Sequence, residues 1–323
     1  MVSCRFQHAC VFNFIPLVLW LAVGCAVTAH RNSNAAEADP LSFIGLENGE
    51  YRFDTGVLQG LLHAGGRSTG LAPMSDTVTG KVLTKGMGCL SPYRILSAGT
   101  QHGIAAWYWP SETRRLPDGA VEVRWAADET YPLELTAVYR WTTANVADVV
   151  ITAVPRKDLP QFEIFVASYF EGFTEALVYA QDAASGQPKF VPALKSDGVW
   201  QVFPRDGALA KLVSDGRWQH PPHPVTWTVR DPLAGPLAIR RHPELGLTAL
   251  LMSPPDDCFA VYTPYGEDGH GSLYLGLLGH DVKAGQAATG RARLVIARDL
   301  NDERAVAAYR DYLQSYKRSE EAK

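Results

Sequence analysis

The chain has 323 residues, 46% of them hydrophobic and 20% charged, so it can bury a sizeable core and is not a disordered sequence. Its formal net charge is −4, with no basic tail and no run of like charge. That excludes the usual electrostatic footprint for nucleic acid, and no nucleic-acid partner is expected.

The N-terminus reads as an address. Residues 1–10 carry Arg5 and His8, residues 11–29 are mostly apolar, and Ala36-Glu37-Ala38 suits a signal peptidase. Residues 1–38 are therefore expected to be a secretory signal, and the protein to be exported to a periplasmic or extracellular space. A second reading of the same stretch is Leu21-Ala22-Val23-Gly24-Cys25, an imperfect lipobox that would leave Cys25 as a lipidated anchor. Ala22 fits that pattern poorly. Pro16 argues against a permanent span, and no later stretch is long or apolar enough for one, so no membrane span is expected in the mature chain. Cys4, Cys10 and Cys25 fall in the signal region, which leaves Cys89 and Cys258 as the pair available for one disulfide. The sequence cannot place their Cα atoms within bridging range. There is no CxxC, no HExxH and no His pair at i,i+4, so neither a metal nor another cofactor is expected.

The fold begins near Phe43, after a polar linker. Residues 58–63 read as a strand, and Gly65-Gly66 forces a reversal flanked by His63 and Arg67. Residues 93–109 continue as strand, turn and strand. Leu116-Pro117-Asp118-Gly119-Ala120 signals a hairpin joining strands 107–115 and 120–126. Val121, Val123 and Trp125 alternate with Glu122 and Arg124, and Leu133 to Trp141 repeats the pattern, the mark of half-buried antiparallel strands. Strands follow at 148–154 and 162–170. Residues 174–198 read as loops with one short strand, and 199–207 as a strand ending in a turn. The proline-rich stretch 215–227 holds Trp218, His220, His223 and Trp227. It reads as a rigid loop that covers a sheet edge or, less simply, forms one wall of a cleft. The last third is strand and turn at 237–240, 247–253, 258–263, 271–278 and 290–297. A single helix then starts after Asp299 or Asn301, with Val306, Tyr309, Leu313 and Tyr316 at helical spacing. No composition break marks a second domain and no repeat is visible. The expectation is all-β: one antiparallel domain of about fifteen strands over residues 39–300, then a short helix and tail over 301–323.

Residues 101–112 concentrate the chemistry, with His102, Trp107, Trp109 and Glu112 inside twelve positions. On one strand Trp107 and Trp109 would point the same way. Their indoles would then form a stacking platform for a sugar's C–H face or half of a hydrophobic core. A second cluster, Glu267-Asp268-Gly269-His270, follows Tyr262 and Tyr265 in a glycine-rich stretch. It could trade protons at a sugar carbon, or be an ordinary solvated turn. His242 and His280 read as turn residues without a role.

Three stretches resemble the galactose mutarotase-like β-supersandwich superfamily. LLHAGGRSTGL with Thr79-Gly80 is similar to its first strands. Gln101-His102-Gly103 with Trp107 is similar to the His-Gly segment of aldose epimerases, whose histidine contacts the sugar. VYTPY, SLYLGLLGHDVKAGQ and GRARLVIA resemble its closing strands. The resemblance implies a supersandwich and a carbohydrate ligand. It departs at the chemistry: Ser168 stands where the epimerases carry their acid histidine, and a serine hydroxyl gives up no proton near neutral pH. After Tyr274 there is no Glu for the base, only Gly276, His280 and Asp281. The expectation is thus a carbohydrate-binding protein without conventional mutarotase activity. Arg67, His102, Trp107, Trp109, Glu112 and Tyr262 are its binding candidates, and His102, Glu267 and His270 are the candidates should it be an enzyme. That alternative is an epimerase with a rearranged acid/base pair, or a lyase or hydrolase acting on glycans. A plain structural envelope module is the third reading. The exported chain is expected to begin near Asp39, which N-terminal sequencing tests; Met1 or a lipidated Cys25 would be the contrary result.

Overall fold

Alternation in the sequence becomes paired sheets in the molecule, seen in a computed structural model that describes residues 41–221 and 224–321. Residues 1–38, expected above to be a signal, lie outside the described residues with Cys25, Asp39 and His223. Among the described residues, twenty strands form three sheets. The largest has nine antiparallel strands, in the order Pro188–Pro192, Glu175–Gln181, Leu233–His242, Leu247–Met252, Ala288–Arg298, Val146–Pro155, Leu133–Thr143, Val121–Trp125 and Ser111–Arg115. A second has seven: Thr228–Val229, Trp200–Pro204, Cys258–Pro264, Ser272–Val282, Leu159–Tyr169, Ser91–Ser97 and Thr100–His102. Only its outermost pair, Trp200–Pro204 with Thr228–Val229, runs parallel. Four short strands from Ile44 to Asp76 make the third.

The predicted alternation sets which face is buried. Val121, Val123, Trp125, Leu133, Leu135, Ala137, Tyr139 and Trp141 are at most 3% exposed. They share one core with Ile164, Val166, Leu273 and Leu275 of the seven-stranded sheet, so the two large sheets form a sandwich. Each such large side chain contributes about 1.5–3 kcal/mol by leaving water. The hairpin at Leu116–Gly119 closes as expected, with the Leu116 N–H donating to Ala120 O at 2.8 Å.

The helix spans Asp302–Glu321. Asn301 caps it: its Oδ1 accepts the Arg304 N–H at 2.9 Å. Ala305, Tyr309 and Tyr312 are its deepest residues and pack on Leu237, Ile239, Leu250 and Met252, on the nine-stranded sheet's outer face. No helix among the described residues is long and apolar enough to cross a membrane.

Three expectations are corrected, and the open question of a disulfide is answered. The strand count is twenty rather than about fifteen, because several strands are only two to five residues long. Residues 174–198 hold two strands, Glu175–Gln181 and Pro188–Pro192; the second is outermost, where Pro188 and Pro192 forfeit no ladder bond to a further strand. Trp107 and Trp109 do not share a strand face. Ala106–Tyr108 is a 3₁₀ turn, the strand begins only at Ser111, and the two indoles part company. Cys89 and Cys258 are not bridged: both are buried free thiols, and Cys258 Sγ lies 3.2 Å from Ala260 O. Burial pushes the Cys89 thiol up to about 12. Thiol titration of residues 39–323 is therefore expected to find two groups on denaturation without reductant, and almost none in the native state. One disulfide would contradict it.

Candidate functional site

The seven-stranded sheet is apolar on its outer face as well as its inner one. Ala167 pairs with Tyr274, Tyr262 with Tyr274 and with Val202, and these residues join Phe165, Tyr169 and Phe259 in a second buried cluster. Such double burial replaces alternation with continuous apolar runs, as in Ile164–Ala167 and Leu273–Leu275. The floor is a mosaic of rings: Phe165 stacks on Tyr274 at 4.6 Å and meets Tyr262 edge-on at 5.0 Å.

Two walls rise from this floor. One is the proline-rich segment, whose Trp218, Pro224, Val225 and Trp227 line a cleft of about 580 Å³. It is a cleft wall as well as an edge cover, since Thr228–Val229 pairs directly after it with the outer strand. Trp218 stands edge-on to Phe165 at 4.7 Å and to Trp227 at 5.3 Å. The other wall is the 3₁₀ turn. Trp107 stacks on Tyr93 at 4.2 Å and 12°, while its Nε1–H donates to Ser91 Oγ at 2.6 Å. With its polar tip engaged, Trp107 offers the cleft apolar surface.

An ion cluster fastens the first wall. Arg217, wholly buried, donates from Nη1 to Glu163 Oε2 at 2.9 Å and from Nη2 to Asp215 Oδ2 at 2.8 Å and Gln161 O at 3.1 Å. Tyr262 OH donates to the other Glu163 oxygen at 3.1 Å. Removing one partner of such a group strands a buried charge, at a cost of about 3–5 kcal/mol.

His270 closes one end. Ser272 Oγ lies 2.8 Å and Tyr274 OH 3.2 Å from its Nδ1, and its backbone N–H donates to Asp268 Oδ1 at 2.9 Å. Burial holds the imidazole below its ordinary pKa, aided by Lys85 and Arg240 and opposed by Asp268, so it is neutral at pH 7. Burial likewise raises the phenols of Tyr169 and Tyr274. These groups therefore meet a ligand as neutral hydrogen-bonding partners. Beneath the His270 turn the buried Arg240 donates to Phe173 O, Gly266 O, Thr263 Oγ1, Pro264 O and Ser272 O at 2.9–3.4 Å. Gly271, at φ +64°, passes so close to Phe170 O that a Cβ would sit 2.3 Å from it.

The sequence candidates separate. Trp107 and His270 line the cleft. Tyr262 is fully buried and packs against Trp227 at 4.9 Å, below the lining. Arg67 reaches the rim, its guanidinium 5.5 Å from the ring of Tyr108. His63 pairs with Glu50 instead. Trp109 is 2% exposed, stacked on Tyr131 at 4.2 Å in the sandwich core, with its Nε1–H donating to Ala126 O. Glu112 lies among Arg114, Glu122, Arg124 and Glu134 in a separate hollow. Glu267 is exposed, and Ser168 is fully buried with its Oγ accepting the Leu90 N–H at 3.0 Å. His102 does not line the cleft either; it is 9% exposed and 2.9 Å from Ser97 Oγ. Sequence reasoning missed Tyr93, Arg94, Tyr169 and Trp200 as lining residues. The available signal was the recurrence of Tyr and Trp within strands that lack polar alternation. A larger hollow of about 720 Å³ near the start of the helix is lined by ion-paired polar groups, Arg241 with Asp302 and Glu175 among them. No group of His, Cys, Asp and Glu suited to a metal occurs among the described residues.

No family model matches the chain, and no curated protein does. Among solved structures it is similar to a galactose mutarotase-like protein from Lactobacillus casei, at 10% identity and TM-score 0.47, over 77% of this chain and 100% of that one. A putative aldose 1-epimerase from Escherichia coli is similar at 10% identity and TM-score 0.43, over 80% of this chain and 99% of that one. The α-N-acetylgalactosaminidase NagBb from Bifidobacterium bifidum is similar at 12% identity and TM-score 0.43, over 85% of this chain and 39% of that one.

His102 offers a direct check on its structural role. Burial and the nearby Lys157 lower its pKa from 6.5 to about 4. The unfolded chain then takes up the proton first, so the stability this group contributes is complete above the unfolded value and is lost as pH falls toward the folded one. His102→Gln is expected to flatten the wild-type decline in melting temperature between those two values. His102→Ala is expected to cost about 1–3 kcal/mol of stability while leaving any binding in the cleft unchanged. Loss of binding by a fully stable His102→Ala variant would contradict this.

Proposed function

We propose that the protein is an exported carbohydrate-binding protein that holds a glycan in the aromatic cleft and lacks conventional mutarotase activity. The observation that carries this reading is the cleft itself. Trp107, Trp200, Trp218 and Trp227 surround it, with Tyr93, Tyr108, Tyr169 and Tyr274 among them and His270 and Arg94 as the polar groups. Pyranose rings present C–H faces that pack on aromatic rings and hydroxyls that need a few fixed partners, which is the composition of this lining. A volume of about 580 Å³ suits one or two sugar rings. Ser168 and His102 are both directed elsewhere, which supports binding without the epimerase acid/base pair. Export, with residues 1–38 as the signal and Cys25 as the alternative anchor, rests on the N-terminal sequence alone. In this reading residues 39–300 are the one binding domain and 301–323 its helical appendage.

A second reading has one observation in its favour. His270 Nδ1 and Tyr274 OH are 3.2 Å apart, with Tyr169 OH a further 3.5 Å on, so a proton donor and acceptor meet at the cleft. That pair suits an enzyme acting on glycans, either as a lyase or as a hydrolase.

Binding and turnover on one glycan panel decide between them. Wild type is expected to bind at least one oligosaccharide, and Trp107→Ala and Trp227→Ala to weaken that binding by about 1–3 kcal/mol each. Mutarotation of free aldoses is expected to run no faster than in buffer. Cleavage abolished by His270→Ala would replace the binding reading with the enzymatic one, and undiminished binding by both tryptophan variants would remove the cleft from either.

A further inference from the structure

The cleft is rich in rings and poor in hydrogen-bond acceptors. Of the fourteen described residues that line it, ten carry an aromatic or imidazole ring, and none is Asp, Glu, Asn or Gln. Three of its four indoles offer the space no free polar atom. Trp107 Nε1–H is taken by Ser91 Oγ at 2.6 Å, and the Nε1 atoms of Trp218 and Trp227 are both buried. The phenols are largely engaged by the protein. Tyr93 OH accepts from Arg94 Nη2 at 3.4 Å, and Tyr274 OH lies 3.5 Å from Tyr169 OH and 3.2 Å from His270 Nδ1. Arg94 is 3% exposed and held by its neighbours, Gln101 Oε1 among them. His270 differs. Ser272 Oγ and Tyr274 OH both reach its Nδ1, while Nε2 makes no hydrogen bond among the described residues. An imidazole whose Nδ1 accepts from neighbouring hydroxyls carries its proton on Nε2, so at this end the cleft offers an N–H donor.

A sugar hydroxyl brings a proton that must find an acceptor, and burying it without one forfeits the hydrogen bond it made to water. An unmodified saccharide carries several such protons per ring, and this lining has no carboxylate or side-chain amide to receive them. Acetylation removes that demand. The hydroxyl proton is gone, a carbonyl oxygen that needs only a donor takes its place, and a methyl group adds apolar area for the rings. We propose that the ligand of this cleft is an acetylated saccharide, whose acetyl carbonyl is received by His270 Nε2–H. The acetyl methyl packs against Trp200 and Tyr169, the rings that flank His270 edge-on at 5.2 and 5.1 Å. The proposal rests on the carbohydrate-binding reading and adds the ligand's substituent to it. Ester and amide acetyl groups present the same methyl and carbonyl, and the two are told apart by experiment.

The test is calorimetric titration of the whole protein with O-acetylated xylo- and manno-oligosaccharides, each beside the same oligomer deacetylated. Chito-oligosaccharides are titrated beside cello-oligosaccharides, which share the backbone and lack the acetamido group. At least one acetylated oligomer is expected to bind about tenfold or more tightly than its partner, the value of one hydrogen bond together with a buried methyl. Preference in the xylo or manno pair assigns an ester, and preference in the chito pair an amide. His270→Phe keeps a ring and removes the donor; it is expected to erase most of the preference and leave the unacetylated oligomer's affinity in place. Should His270→Phe fail to fold, saturation-transfer NMR on the wild type reads the same contact. The acetyl methyl protons are expected to receive the strongest transfer from the protein's rings, and silent methyls beside saturated sugar-ring protons overturn the assignment. Equal or weaker binding of the acetylated oligomers, or a preference that folded His270→Phe retains, overturns acetyl recognition by His270 and leaves carbohydrate binding intact. Absence of binding by every saccharide in the set overturns both.

Discussion

A sheet that is apolar on both faces must be covered on both, and that constraint organises this protein. The inner face of the seven-stranded sheet is met by the nine-stranded one, in a core running from Val121 and Leu135 to Ile164 and Leu275. The outer face, with Phe165, Tyr262 and Tyr274, is met by no other sheet among the described residues. A proline-rich segment and a single 3₁₀ turn cover it instead. Coverage by two irregular pieces leaves a gap between them, and the gap is the cleft. The nine-stranded sheet solves the same problem on its own outer face with the C-terminal helix, over Leu237 and Leu250.

Irregular cover has little ladder hydrogen bonding to hold it, so side chains take over. Arg217 ties the segment to Glu163 on the floor, His220 Nε2 lies 2.7 Å from Gly99 O, and Trp218 and Trp227 interlock with Phe165 and Tyr262. A buried charge cluster of this kind adds less net stability than its contacts suggest, because each ion has been taken from water. What it supplies is position. Arg217 has donors enough for Glu163, Asp215 and Gln161 O together, and only one placement of the wall satisfies all three.

The sandwich was legible because half-buried strands advertise themselves by alternation. Val121 to Trp125 and Leu133 to Trp141 needed nothing beyond period two, and the helical stripe placed its cap at Asp299 or Asn301, of which Asn301 is the one used. Edge strands with prolines, such as Pro188–Pro192, lack that signature and read as loop. The cleft was half legible. Trp107 and His270 were found from their clustered neighbours, but His102, Trp109 and Glu112 lie close to Trp107 in sequence and go elsewhere, since a 3₁₀ turn ends the strand on which they would have shared a face. Arg94 and Arg217 were invisible for another reason. Arg217 meets Glu163 across fifty-four positions, and Arg94 sits singly between Tyr93 and Ile95 in its strand; no local pattern reports either. Solved structures similar to this chain include ones only 8–12% identical to it, a likeness that carries the fold and not the side chains of a site.

The division between a woven floor and a pinned wall bears on how such a protein changes over time. Tyr274 and Phe165 belong to the sheet, so altering them disturbs fold and site together. Val225 and Pro224 belong to the wall, held by Trp218, Trp227 and the Arg217 cluster rather than by a ladder. Substitutions there can reshape the cavity while the sandwich beneath keeps its register. The shape of the cleft's wall and the stability of the sandwich are thus inherited on different stretches of the chain, and a descendant can alter the first without endangering the second.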